Sequence, residues 1–94
     1  MTERRRSRRC LCSHLVEVDG RTALLEDISA EGAAVAVEAP LGSSGGIDLL
    51  ASGRRFRARV RYCLVRETDF RLGLEFDGGD RWRADLWQPE HLLN

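Results

Sequence analysis

Two groups of side chains in this sequence have the types and spacing to do chemistry. One is Asp27-Ile28-Ser29-Ala30-Glu31-Gly32, a D-x-S-x-x-G between two β-compatible runs. A carboxylate in its first position can accept from the N–H donors of a guanine edge, while the serine hydroxyl and nearby backbone N–H groups hold an adjacent polar atom. The same residues also make a good turn, because Asp and Ser side chains bond local backbone groups and glycine permits a positive φ. The other group is Glu3-Arg4-Arg5-Arg6-Ser7-Arg8-Arg9, which holds R-x-x-x-R in two registers, Arg4 with Arg8 and Arg5 with Arg9. Guanidinium groups bind phosphate oxygens in bidentate pairs and stack on purine faces, so one arm can recognise both parts of a nucleotide.

The charge distribution sets this arm apart. Residues 1–9 carry five arginines against Glu3, whereas the other 85 residues carry ten arginines against fourteen acids. A basic arm on a mildly acidic body suits capture of a phosphate-bearing partner. All 15 basic residues are arginine. With no lysine for contrast, arginine type alone carries no functional argument.

The elements that must position these groups are strands. Asp19-Gly20 separates His14–Val18 from Arg21–Ile28 and predicts a type I′ hairpin. Ala33–Glu38 reads as a third strand and Ile47–Ala51 as a fourth, with loop composition across 39–46. Ser52-Gly53 turns the chain into Arg54–Val65, where Phe56, Ala58, Val60, Tyr62 and Leu64 alternate with Arg55, Arg57, Arg59 and Arg61. That period predicts an inner apolar face and an outer basic face, neutralised by Glu67, Asp69 and Glu75 on the next strand. Asp69–Phe76 repeats the period with Phe70, Leu72, Leu74 and Phe76 inward. Gly78-Gly79-Asp80 offers a helix cap before a short C-terminal helix over Arg81–Trp87, carrying Trp82 and Leu86 on one side. The expected fold is all-β: a small six-stranded antiparallel β-barrel, residues 11–94 including the C-terminal helix, behind a flexible arginine-rich arm at residues 1–10.

In order and spacing, Arg5 and Arg9, then Asp27, Ser29 and Gly32, then Leu72-Gly73-Leu74-Glu75-Phe76, the chain resembles the PilZ family from about Glu3 to Asp77. The resemblance implies a six-stranded barrel that binds cyclic di-GMP on its surface, with the arginine arm closing over the ligand. It also implies roles: Arg5 and Arg9 on phosphate and guanine, Asp27 and Ser29 on a guanine, and Gly32 shaping the turn. Arg4 would stack on a second ligand molecule of an intercalated pair, and Arg4 with Arg8 is the alternative register. Output would pass through a downstream protein partner.

Other function classes fit less well. The sequence has no G-x-S-x-G, H-E-x-x-H or P-loop, and His14 and His91 lie near opposite ends, so it is not expected to be an enzyme. Cys10, Cys12 and Cys63 lack C-x-x-C spacing and read as reduced thiols, with no metal site or cofactor. No apolar run approaches a membrane span, and the chain is read as cytoplasmic. Nucleic-acid binding through the arm is the runner-up function, although nucleic acid is not the expected partner. A ligand-free protein-interaction barrel, contacting through Trp82 and Trp87, is a third possibility.

Overall fold

The computed structural model describes residues 10–39, 46–77 and 81–82. Six strands are present: β1 (Cys10–Val18), β2 (Arg21–Ile28), β3 (Gly32–Val37), β4 (Gly46–Ala51), β5 (Arg54–Val65) and β6 (Phe70–Phe76). They close into a barrel in the order β1-β2-β3-β6-β5-β4, every pairing being antiparallel. Closure rests on two residue pairs, Glu17–Leu50 and Val18–Leu49. Asp19 reinforces it: its carboxylate accepts from the Asp48 N–H at 2.8 Å and its own N–H donates to the Asp48 carbonyl at 2.9 Å.

The hairpin turns follow the sequence. Asp19 and Gly20 both take positive φ, as do Ser52 and Gly53, the backbone that a type I′ turn demands. β1 begins four residues earlier than the apolar pattern indicated, at Cys10 rather than His14. Of the helix predicted over 81–87, Arg81 and Trp82 are not helical, and the remainder lies outside the described residues. Trp82 is nonetheless buried in the core cluster, and its N–H donates to the Ala30 carbonyl at 3.3 Å. Trp87 lies outside the described residues.

The core is filled by alternating side chains, among them Val18, Leu25, Ile28, Val35, Ile47, Leu49 and Leu72, all fully buried. Phe56 and Phe76 stack at 5.0 Å between ring centroids. The alternation breaks at β-bulges, where one extra residue puts two neighbours on the same face. In β2 the register shifts between Leu25 and Asp27, so Glu26 and Asp27 both lie on the outer wall between core residues Leu25 and Ile28. In β5 it shifts between Val60 and Tyr62. Tyr62 and Leu64 were expected to face the core with Phe56. The extra residue, Arg61, turns them outward, and they are 41% and 52% exposed.

Gly32 is needed for a reason other than φ. Its φ is not positive, but a Cβ there would collide with the Leu74 backbone carbonyl across the β3–β6 ladder. Gly20, by contrast, combines a positive φ with open space. Gly32→Ala is expected to cost about 3 kcal/mol, as backbone displacement in a packed wall does. Gly20→Ala should cost only about 1–2 kcal/mol, the left-handed penalty. Urea unfolding of both variants gives the order; equal losses would refute the close-approach argument.

Candidate functional site

The D-x-S-x-x-G forms the end of β2, the turn and the start of β3. Ser29 is buried, and its backbone N–H donates to the Gly32 carbonyl at 2.8 Å. Its hydroxyl accepts from the Glu31 N–H at 3.3 Å and contacts the Gly32 carbonyl at 3.4 Å. The Phe76 N–H donates to the Glu31 carbonyl at 2.8 Å. Together with Trp82 on Ala30, these bonds pin the turn from inside and outside the motif, so Ser29 has a structural task whatever else it does.

Asp27 is the more unusual residue. It lies on the outer wall yet is only 3% exposed. Its Oδ2 accepts from Arg71 Nη2 at 2.8 Å. Arg71 also donates to Glu26 Oε1 at 2.6 Å, so the two carboxylates that the β2 bulge places side by side share one guanidinium. Glu26 in turn receives both Nη atoms of Arg66 at 3.0 Å, a bidentate pair. Arg66 closes the chain on Asp69 at 2.7 and 2.9 Å. The result is a continuous ionic ladder, Asp27–Arg71–Glu26–Arg66–Asp69, crossing from β2 to the β5–β6 turn.

The electrostatics follow from these contacts. Burial opposes a charge on Arg71, but the Tyr62 phenol, Asp27 and Glu26 outweigh it and raise its pKa. The hydrogen bonds that Arg66 donates to Asp69 and Glu26 raise its pKa, and Arg66 holds the Asp69 carboxyl below its ordinary value. Three carboxylates against two guanidiniums leave the ladder one negative charge in excess.

Cross-strand register assembles the surrounding surface. Leu11, Asp27, Ala34, Gly73 and Tyr62 form one row around the wall. A Cβ on Gly73 would strike the Tyr62 ring, so the glycine lets the aromatic lie against the backbone of β6, beside Arg71. Cys10, the first residue of β1, pairs with Ile28. The chain on the N-terminal side of Cys10 therefore starts within the D-x-S-x-x-G neighbourhood. Arg4, Arg5, Arg8 and Arg9 lie outside the described residues.

The structure thus brings Asp27, Ser29 and Gly32 together and adds Glu26, Arg66, Asp69, Arg71 and Tyr62, which sequence reasoning had not assigned to the site. One signal was available for Glu26 and Asp27: the apolar residues Leu25 and Ile28 are three apart, not two, which is the spacing a bulge leaves. Arg57, Arg59 and Arg61 on the outer face of β5 are neutralised, though by a partly different set than expected. Glu75 serves Arg59 and Arg61, Asp48 serves Arg57, and Asp77 approaches Arg59 at 3.9 Å. Asp69 is committed to Arg66 instead. A cavity of about 400 Å³ beside Val18, Thr22 and Val37 is remote in strand register from the Asp27–Gly32 turn.

The Cys12 thiol is buried beneath this wall. Burial pushes its pKa up to about 11, with Asp27 and Cys10 adding to the shift, so it carries no appreciable thiolate at neutral pH. Iodoacetamide at pH 8 should leave Cys12 unmodified in the folded protein and label it in urea, as read by peptide mass mapping. For the ladder, Arg71→Ala should cost about 3 kcal/mol by withdrawing a counter-charge from a buried carboxylate. Asp27→Ala should cost less in the Arg71→Ala background than in the wild type, and independent losses in a double-mutant cycle would show that the pair is not coupled. No protein-family model matches this chain, and no curated protein matches it.

Proposed function

We propose that the chain is a cyclic di-GMP receptor of the PilZ type, with residues 1–9 closing over a ligand held at the D-x-S-x-x-G and with output through a protein partner. The observation that carries this reading is the pairing of Cys10 with Ile28 and of Leu11 with Asp27. It roots the arginine segment beside the motif, although the two are well separated in sequence. Arg9 is one residue from that root and Arg5 is five, a reach of at most about 18 Å for extended chain.

In this reading Asp27, whose Oδ2 accepts from Arg71 Nη2 at 2.8 Å, is the carboxylate of the motif that meets a guanine edge. A fixed guanidinium beside the carboxylate also lowers the cost of bringing a doubly anionic ligand to an acidic wall. The Tyr62 ring, lying on the same row of the wall, offers an apolar surface to a base. In this reading Ser29 and Gly32 act mainly by fixing the turn that presents the backbone.

Calorimetric titration of the full chain with cyclic di-GMP tests the proposal. Saturable micromolar binding is expected, with about tenfold or greater weakening in Arg9→Ala or Arg5→Ala, the loss of one charge-assisted hydrogen bond. The pair Arg4→Ala and Arg8→Ala separates the two registers. Absence of heat with the dinucleotide overturns the reading. Heat with a single-stranded oligonucleotide alone would then favour nucleic-acid binding by the arm.

A further inference from the structure

Arg71 bonds the carboxylate of the D-x-S-x-x-G motif, and it is not free to turn. Its Nη2 donates to Asp27 Oδ2 at 2.8 Å and its Nη1 to Glu26 Oε1 at 2.6 Å, so one planar fork spans two carboxylates. Glu26 is itself clamped by both Nη atoms of Arg66 at 3.0 Å. The Asp27 side chain is only 4% exposed, so water offers it no replacement for the guanidinium. A guanidinium is rigid and planar. With two of its nitrogens engaged in this way, the direction of Asp27 Oδ2 is set by residues of β2, β6 and the β5–β6 turn together.

That orientation matters for what a carboxylate can read. An ionised carboxylate only accepts, so it recognises a purine by the donors on its edge. Guanine presents N1–H and its 2-amino group side by side, and bonding both requires the carboxylate to lie in the plane of the base. Hypoxanthine keeps N1–H, O6 and N7 and lacks only the 2-amino group. Arginines grip guanine at O6 and N7, atoms that both bases share. A difference in affinity between the two bases therefore reports on the carboxylate and not on the arginine segment.

We propose that Arg71 is a positioning residue for base selectivity: by fixing the Asp27 carboxylate it secures the hydrogen bond to the 2-amino group of guanine. The inference rests on the cyclic di-GMP reading above and extends it to a residue outside both the D-x-S-x-x-G and the arginine segment. Arg71 acts through Asp27, not on the base. Lysine does not replace it, because a single ammonium supplies the counter-charge without a fork that spans Asp27 and Glu26. Without the fork, the two carboxylates that the β2 bulge sets side by side repel each other and lose their common plane. One hydrogen bond to N1–H then survives, and the preference for guanine over hypoxanthine is lost.

Calorimetric titration of the full chain with cyclic di-GMP and with cyclic di-IMP, for wild type, Arg71→Lys and Arg71→Gln, is the test. Wild type is expected to bind cyclic di-IMP about tenfold or more weakly, the loss of one charge-assisted hydrogen bond. In both variants cyclic di-GMP should weaken towards cyclic di-IMP, so that the preference disappears. The ratio of the two dissociation constants is decisive, because a smaller folded fraction, or a direct bond from Arg71 to a phosphate, lowers both affinities alike. Circular dichroism checks folding, and Arg71→Lys keeps the counter-charge should Arg71→Gln fail to fold. A wild type that binds both dinucleotides equally, or a preference that survives in Arg71→Lys, overturns the inference and leaves the receptor reading standing. A wild type that binds neither overturns both.

Discussion

Asp27 is a carboxylate almost wholly removed from water in the wall of a small barrel. Removing such a charge from water costs several kcal/mol unless a counter-charge and hydrogen bonds replace the solvent. Arg71 supplies both, and much of the local architecture follows from delivering it. β6 must present Arg71 outward between core residues Leu72 and Phe70, and β3 must keep Ala34 and Ala36 small along the path from Asp27 to Arg71. Arg71, itself partly desolvated, then needs more than one acceptor, and the β2 bulge brings Glu26 to the same face. Glu26 is held in turn by the bidentate Arg66. A charge buried for one position propagates into a ladder of five residues.

The two bulges flanking β3 and β6 do complementary work. On the β2 side the extra residue gathers two acids on the outer wall; on the β5 side it brings Arg61 and Tyr62 to the outer wall together. Tyr62 then lies on Gly73 and lines Arg71, instead of filling the core. The price of that arrangement is the distal half of β5: past the bulge, its apolar residues belong to neither the core nor a β4 partner. The same one-residue shift that completes the wall around Arg71 sets Tyr62 and Leu64 outward, on a stretch of β5 beyond its last described β4 pair, Gly46–Arg59.

The strand order in sequence and the hairpins were legible because their signals are local. Asp19-Gly20 and Ser52-Gly53 specify their own backbone, and the alternation in β6 survives intact in the structure. The inward parity of Tyr62 and Leu64 was misread for an equally physical reason. An apolar residue at every second position continues across Arg61, so the pattern in composition remains regular while the backbone slips by one. The D-x-S-x-x-G was visible as a motif, but its main ionic partner, Arg71, is 44 residues away. Only the barrel's register joins them, through Ala34 and Ala36 of β3. Gly32 was read as a residue that permits a positive φ in the turn, whereas the constraint is the Leu74 carbonyl, another contact between distant strands.

These long-range constraints also bear on how the proposed ligand site would work. Ser29, Gly32 and Asp27 are held by bonds to their own turn, to Phe76, to Trp82 and to Arg71, so this half of the site is organised before any ligand arrives. Preorganisation removes the ordering cost from that half. Each residue of the arginine segment that must be ordered costs about 1–2 kcal/mol. Each charge-assisted hydrogen bond returns roughly 1.5–3 kcal/mol. The two sums nearly cancel over several arm residues, so in the proposed reading the fixed turn would decide where a nucleotide is recognised and the arm whether the balance is favourable. In the proposed receptor, ligand binding would then act on the arginine segment, with the barrel and the turn already in place.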